Sequence, residues 1–203
     1  MERMKLLFLG DSIVDAGRLT EECRDGLGFG FVAELARMLG NRYSLINKGH
    51  NGFTVGDVGR SLRRDCLGEN PELVTILVGV NNIPMYYYEN PEVLPGTFRQ
   101  EYEEILRRLR QKNPDVQLML MESFVFREPA EYQTWRPLLQ QESQVVRELA
   151  DQYQAVFVPL QEILDEGAAK YGICEMTTDG IHLTERGNRM AADQWYQFFQ
   201  KTE

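Results

Sequence analysis

Short apolar runs alternate along the chain with longer segments in which apolar residues recur every three or four positions. The short runs are typical of buried strands, and the longer segments are typical of amphipathic helices. The sequence predicts strands at 5–9, 43–46, 73–78, 116–121 and 155–158, and helices near 31–39, 58–66, 98–109, 138–149, 160–168 and 184–199. This alternation predicts an α/β protein, a three-layer α/β/α sandwich around a five-stranded parallel sheet.

The carboxyl ends of the predicted strands indicate where a ligand would bind, because ligands of parallel sheets lie beyond those ends. The segments that follow the first four strands begin at Gly10, Asn47, Gly79 and Glu122. Two of these connections, 79–97 and 122–136, are long, and long loops within a domain often carry function. We therefore expect the site at this edge of the sheet, with specificity set by the two long loops.

Composition and charge narrow the class of protein. A length of 203 residues predicts a single domain, 1–203. The 22 Lys and Arg against 31 Asp and Glu give a net charge of −9, which argues against nucleic acid and anionic membranes as partners. No signal-peptide pattern and no membrane-spanning apolar stretch occurs, so a cytoplasmic location is expected. The cysteines, Cys23, Cys66 and Cys174, fit no metal-ligand spacing and are interpreted as reduced structural thiols.

A candidate nucleophile, Ser12, ends the first strand in the sequence Gly10-Asp11-Ser12. A serine at such a strand-to-helix turn is well placed for attack, although the same residues also fit a plain turn. His182 has an aspartate three positions earlier, Asp179, which could orient its imidazole. The alternative is that Asp179 caps a turn and His182 is a surface residue. The other histidine, His50, lacks an acidic sequence neighbour and is interpreted as a loop or cleft-wall residue.

Acyl transfer also needs hydrogen-bond donors directed at the oxyanion that develops during the reaction. After the second predicted strand, Gly52 lies in a glycine-containing turn where backbone amides can approach a ligand. After the third, Asn81 offers a side-chain amide at the same sheet edge. Each cluster alone fits an ordinary turn, and their shared placement at one edge favours a site.

Together these motifs resemble the four sequence blocks of the SGNH (GDSL-type) esterase and lipase family. Gly10-Asp11-Ser12, Gly52, Gly79-Val80-Asn81 and Asp179-Gly180-Ile181-His182 occur in the family's order and span essentially the whole chain. Within the family, the chain most resembles bacterial carbohydrate acetylesterases of the acetylxylan type, in residues 7–15, in Asn47-Lys48-Gly49 and in the loop containing Phe124. The resemblance implies a flavodoxin-like fold.

The resemblance implies a role for each matched residue. Ser12 is the nucleophile, His182 is the general base and then the acid, and Asp179 orients His182. The oxyanion hole consists of the amide N–H of Ser12, the amide N–H of Gly52 and the side-chain amide of Asn81. No cofactor and no metal is implied.

Two positions depart from the family pattern. Asn82 stands where the family usually has Asp, and Ile13 stands where it has Leu. Neither change removes a residue of the triad, although Asn82 changes how Asn81 is held. Substrate contacts are assigned to Asp11, Asn82, Tyr86 and Phe124, while the loop aromatics could instead pack the loops or form a subunit contact.

The expected function is removal of short acyl groups, most simply acetyl, from carbohydrate esters. The partner is therefore a small-molecule ester such as an acetylated sugar or oligosaccharide, and a homo-oligomer is possible by resemblance. One alternative is a lysophospholipase or thioesterase that uses the same triad with a larger apolar pocket. Another alternative is an inactive carbohydrate-binding or scaffold protein that kept the fold.

Overall fold

An all-parallel, five-stranded sheet forms the centre of this computed structural model, which describes residues 3–87 and 94–201. The strands are β1 (Met4–Gly10), β2 (Tyr43–Gly49), β3 (Leu73–Leu77), β4 (Gln117–Met121) and β5 (Val156–Val158), in the order β2-β1-β3-β4-β5. The helices are α1 (Ser12–Asp15), α2 (Phe31–Leu39), α3 (Val55–Leu62), α4 (Leu94–Lys112), α5 (Arg136–Gln152), α6 (Gln161–Tyr171) and α7 (Glu185–Phe199). Within the described residues, no helix is long and apolar enough to cross a membrane.

The two faces of the sheet are covered by different helices. Because side chains alternate along a strand, Leu7 and Leu9 of β1 face one apolar cluster while Leu6 and Phe8 face the other. Helices α3, α4 and α5 supply the first cluster, and α1, α2, α6 and α7 supply the second. The predicted three-layer α/β/α class and the flavodoxin-like strand order are therefore confirmed.

The predicted helix near 58–66 differs from the structure at both ends. Helix α3 begins at Val55 because Thr54 caps it, with Oγ1 accepting from the N–H of Asp57 at 3.3 Å. The Asp57 carboxylate accepts in return from the Thr54 N–H at 3.0 Å, which completes a capping box. After Leu62 the chain continues as a π-helical turn, Arg63–Leu67.

The long connection 79–97 is shorter than its sequence suggests. A π-helical turn covers Ile83–Tyr87, and α4 already begins at Leu94. The other connection, 122–136, contains one 3-10 turn, Ala130–Gln133, before α5 begins. Both connections leave the carboxyl edge of the sheet, where the candidate site residues lie.

Candidate active site

Ser12 lies at the point where β1 turns into α1. Asp11 caps the helix, with its Oδ1 accepting from the backbone N–H of Ile13 at 3.0 Å. Since Ser12 is the first helical residue, its own N–H takes no part in the hydrogen bonds within the helix. A Cβ at Gly10 would lie 2.1 Å from the carbonyl oxygen of Leu77, so only glycine lets β1 and β3 approach this closely. The strand ends thereby present Ser12 at the carboxyl edge.

His182 is held by a turn between α6 and α7. The Thr177 hydroxyl donates to the carbonyl oxygen of His182 at 2.8 Å and accepts from the N–H of Gly180 at 2.9 Å. Gly180 has a φ of +94°, and a Cβ there would lie 2.1 Å from the carbonyl oxygen of Glu128. The turn therefore needs glycine between the aspartate and the histidine.

Asp179 accepts three hydrogen bonds from this turn. Its Oδ1 accepts from the backbone N–H groups of Ile181, at 2.9 Å, and His182, at 2.8 Å. Its Oδ2 lies 2.6 Å from Nδ1 of His182. Partial burial alone would raise the pKa of Asp179, but the hydrogen bonds from the side chain and backbone of His182 and the backbone of Ile181 outweigh it, so the pKa lies below its ordinary value. Asp179 is therefore a carboxylate at neutral pH.

The structure brings Ser12, His182 and Asp179 into one hydrogen-bonded chain. Nε2 of His182 lies 2.8 Å from Oγ of Ser12, across 170 residues of sequence. The Asp179 and His182 side chains are 49 % and 50 % exposed, so a dissolved ester can reach them. In this arrangement an imidazole is able to accept a serine proton while the carboxylate fixes its tautomer.

Gly52 lies in the turn that follows β2. The backbone N–H of Phe53 donates to the carbonyl oxygen of His50 at 3.2 Å, and Gly52 between them has a φ of +76°. A Cβ at Gly52 would meet no atom within 4 Å, so glycine is favoured by the backbone conformation rather than by lack of space.

Asn81 and Asn82 follow β3 and have different surroundings. Nδ2 of Asn81 donates to the carbonyl oxygen of Phe53 at 3.0 Å, which ties this loop to the turn of Gly52 and uses one of two amide hydrogens. Asn82 is buried, and its Oδ1 accepts from the N–H of Val55 at 3.1 Å. An aspartate would accept the same bond, so the departure from the family pattern keeps this support for α3.

The side chains assigned to substrate contact are mostly buried. Asp11, Asn82 and Phe124 are 1 %, 0 % and 2 % exposed, and the ring of Phe124 packs edge-on against that of Phe126 at 6.1 Å. This burial argues against direct contact by these three residues and favours a supporting role. The fourth assignment, Tyr86, has its side chain outside the described residues.

His50 has an acidic neighbour in space although it has none in sequence. Its Nε2 lies 2.9 Å from Oδ2 of Asp65, and its ring stacks on that of Phe53 at 4.4 Å. The guanidinium groups of Arg18 and Arg64 lie 3.3 and 3.2 Å from its ring nitrogens, and Nε of Arg18 donates to the carbonyl oxygen of Gly49 at 2.6 Å. His50 is thus part of a polar cluster that braces the turn containing Gly52.

A cavity of about 280 Å³ lies beside Asp179. Residues of the predicted second long loop, Glu128 and Pro129, form one wall, and the turn before His182 forms the other. The lining residues are Glu128, Pro129, Ile173, Cys174, Thr177, Thr178, Asp179 and Gly180. The 122–136 connection therefore lines a cavity beside Asp179, and its role in specificity stays a prediction.

Sequence reasoning missed two residues next to the site. Thr177 braces His182, and a threonine two positions before an aspartate is too common a pattern to stand out. Glu142 is 1 % exposed and lies next to Gly79, which follows β3. The sequence did contain a sign of Glu142: it is an acidic residue at helical spacing from Leu139 and Val146, on the apolar side of α5.

The fold and the site define a serine hydrolase of the α/β/α type. A model of the GDSL-like lipase/acylhydrolase family matches residues 8–190. The chain belongs to this family and is a serine esterase.

Known proteins of similar sequence and structure fit this assignment. An acetylxylan esterase from Geobacillus stearothermophilus is 28 % identical over 197 residues, covering 93 % of this chain and 90 % of that protein. A crystal structure of a catalytic mutant of an acetylxylan esterase from the same organism has a TM-score of 0.79 at 27 % identity, covering 96 % of this chain and 93 % of that one. An α/β hydrolase from the metagenome of Lake Arreo, Spain, has a TM-score of 0.83 at 24 % identity, covering 98 % and 96 % of the two chains, and shows the fold alone.

Proposed function

We propose that this protein removes short acyl groups, acetyl above all, from carbohydrate esters through a triad of Ser12, His182 and Asp179. The observation that carries the proposal is the hydrogen-bonded chain from Oγ of Ser12 through the imidazole of His182 to Asp179. The acetylxylan esterase that is 28 % identical supports the choice of substrate.

In the first step, Nε2 of His182 accepts the Ser12 proton while Oγ attacks the ester carbonyl carbon. The alkoxy group leaves with a proton from His182, and an acyl-serine remains. Water then attacks the acyl carbon while His182 accepts one of its protons, and the proton returns to Oγ as the acid is released. Asp179, ionised and bonded to Nδ1, stabilises the imidazolium that forms in both steps.

The oxyanion formed in both steps is stabilised by three donors in this proposal. They are the N–H of Ser12, the N–H of Gly52 and the amide hydrogen of Asn81 that the bond to Phe53 leaves over. The positions of these donors support the proposal, because all three follow the carboxyl ends of neighbouring strands in the order β2-β1-β3. The hydrogen bond from Asn81 to Phe53 fixes two of the three segments relative to each other.

A Ser12→Ala variant tests the nucleophile. We expect loss of esterase activity to a few per cent or less, and loss of covalent labelling by a fluorophosphonate probe, because the attacking oxygen is gone. Ser44→Ala is the matched control, since Ser44 lies near the amino end of β2, at the edge of the sheet opposite the candidate site. Labelling of Ser12→Ala at the wild-type level would contradict the proposal, and a wild-type protein that resists the probe would favour the inactive scaffold.

A series of p-nitrophenyl esters of increasing chain length tests the acyl group, with acetylated xylo-oligosaccharides, lysophospholipids and acyl thioesters beside it. We expect the highest kcat/KM on acetate and release of acetate from the oligosaccharides. Faster turnover of octanoate than acetate would contradict the short-acyl assignment and favour the lysophospholipase or thioesterase alternative.

A further inference from the structure

Two buried acidic residues, Asp11 and Glu142, take no part in the reaction described above. Asp11 precedes Ser12 and is 1 % exposed, and Glu142 on α5 is equally buried. Both residues lie at the carboxyl end of β3. The N–H of Asp11 lies 3.4 Å from the carbonyl oxygen of Leu77, and Oε2 of Glu142 would lie 2.6 Å from a Cβ on Gly79.

The two carboxyls differ in their hydrogen bonds. Asp11 accepts from the backbone N–H of Ile13, whereas neither oxygen of Glu142 has a partner among the described residues. A carboxylate buried without donors is costly, while its protonated form is tolerated. Two buried acids that interact do not both ionise readily, and the charge settles on the one with a donor. The proton therefore belongs on Glu142 and the charge on Asp11.

Among the charged groups near α5, Asp11 is the one whose charge raises the pKa of Glu142. Burial raises the pKa of Glu142 well above its ordinary value, and the charge of Asp11 raises it further. Burial raises the pKa of Asp11 to about 7, against the opposing effects of the Ile13 N–H and of His182. The other charged or titratable groups that face α5 or belong to it are Glu122 (bonded to Ser143), Asp165 (paired with Arg136), Arg99 (paired with Glu148), Arg147 (over the ring of Phe157), Glu103 (bonded to Gln152 and Tyr153), Glu131, Asp151, the buried Tyr102 and the partly buried Tyr132.

We propose that Glu142 is a positioning residue that keeps its proton at working pH, so that the buried pair carries at most one negative charge, which is located on Asp11 next to Ser12. That charge attracts the imidazolium of His182, since the field of His182 reaches Asp11. A neutral Glu142 lets Asp11 ionise without a second charge in the same buried space. The catalytic consequence rests on the proposed function, whereas the location of the proton does not.

The location of the proton is tested without any substrate, by the pH dependence of thermal unfolding. A group whose pKa is raised in the folded state makes stability fall as pH rises from its unfolded pKa to its folded one. Glu142→Gln cannot ionise, so we expect its melting temperature relative to wild type to increase steadily as the pH is raised from about 5 to 9. Glu148→Gln, the same change at a half-exposed position of α5, should show no such pH-dependent difference.

Infrared spectroscopy supplies the direct reading. We expect the band of protonated carboxyls in the wild-type protein at neutral pH to be weaker in Glu142→Gln and unchanged in Glu148→Gln. The part of the band that remains in Glu142→Gln belongs to Asp11, whose pKa is about 7. A band of equal strength in wild type and Glu142→Gln, or a Glu142→Gln protein whose stability follows the wild type at every pH, would overturn the proposal.

Kinetics separate a role in positioning from simple packing. We expect kcat/KM of Glu142→Gln to stay closer to wild type than that of Glu142→Leu, because glutamine keeps a neutral polar head and leucine does not. The acid limb of the kcat/KM profile should be the same in Glu142→Gln and wild type, since Asp11 titrates there beside a neutral neighbour in both. Equal activity of Glu142→Gln and Glu142→Leu would make Glu142 a packing residue only.

If no variant and no wild-type protein hydrolyses esters, the proposed function fails while the infrared and melting results still decide where the proton lies.

Discussion

Two aspartates of the candidate site, Asp11 next to Ser12 and Asp179 bonded to His182, have opposite surroundings. Asp179 is half-exposed, accepts three hydrogen bonds and has a lowered pKa. Asp11 is buried, and burial raises its pKa to about 7. The same side chain is therefore a permanent carboxylate in one place and a group that titrates near neutrality in the other.

The difference shows that burial and hydrogen-bond donors together determine the charge state of these acids. Asp179 keeps its charge because the turn of Thr177 and Gly180 directs N–H groups at it. Asp11 shares its buried space with Glu142, which has no donor among the described residues. We therefore expect changes at Asp179 to affect activity and changes at Asp11 to affect mainly the pH dependence of stability.

The largest expected effect is that of Asp179→Asn. Asparagine fills the same space but favours the wrong imidazole tautomer, and loss of a triad aspartate of this kind lowers kcat about 10⁴-fold in a serine protease. Steady-state kinetics on a short-chain ester measure the loss, and Asp193→Asn on the exposed side of α7 is the control. A loss of less than about tenfold would mean that Asp179 is a turn cap and not a member of the triad.

A smaller loss is expected from Asn81→Ala. Removal of one oxyanion donor costs about 10²–10³ in kcat, with KM changed much less. The exposed neighbour Asn51 is the control, because Asn51→Ala removes an amide at the same sheet edge. A rise in KM with unchanged kcat would assign Asn81 to substrate binding instead of the oxyanion hole.

Asp11→Asn should stabilise the protein at neutral and alkaline pH. The pKa of Asp11 rises from an ordinary value of 3.8 to about 7 on folding, so wild-type stability falls as the pH rises through that window. Asparagine keeps the acceptor for the Ile13 N–H and does not titrate, so the gain should be absent at about pH 4 and reach a few kcal/mol by about pH 8. Urea unfolding at the two pH values measures it.

The activity of the same variant gives a second reading. Without the negative charge of Asp11, the imidazolium of His182 loses an attractive interaction, so the acid limb of kcat/KM should move to lower pH. An unchanged acid limb would show that the charge of Asp11 does not influence His182. Equal stability changes at both pH values would show that Asp11 carries its charge at no cost to the fold.

The apolar pattern was sufficient to predict the five strands and the six longer helices, α2 to α7, but not the short helix α1. Runs such as residues 73–78 are continuous and β-branched, and that composition is typical of a central strand. The start of α3 was missed because Thr54 and Asp57 form a capping box ahead of the apolar pattern. Hydrogen bonds of this kind depend on one or two side chains, so periodicity does not register them.

Residues of the candidate site were predicted where a strand end, a short motif or the resemblance to the family's sequence blocks pointed to them. Asp179 and His182 are three residues apart, whereas His50 and Asp65 meet through the fold and were not paired from sequence. Asp11, Asn82 and Phe124 are buried in the folded protein, Phe124 within the apolar cluster of α1, α2, α6 and α7, and no local sequence pattern indicates this burial. Glu142 is visible in the sequence as an acidic residue on an apolar helix face, but its role can be inferred only from its neighbours in the folded protein.

The smallest expected effect, that of Gly79→Ala, tests how tightly the space around the acid pair is packed. A Cβ at Gly79 would lie 2.6 Å from both Oε2 of Glu142 and Oγ of Ser123, and the φ of +155° is unfavourable for alanine. We expect a loss of about 1–3 kcal/mol in the free energy of unfolding. Gly68→Ala is the control, because a Cβ there meets nothing within 4 Å.

A double-mutant cycle with Glu142→Ala separates the two causes of that loss. Shortening Glu142 removes the clash but leaves the backbone strain, so the cost of Gly79→Ala should shrink in the Glu142→Ala background by about 1 kcal/mol. An unchanged cost would assign the loss to backbone strain or to Ser123. The carboxyl of Glu142 would then not press on the loop that carries Asn81, and its influence on the site would be electrostatic alone.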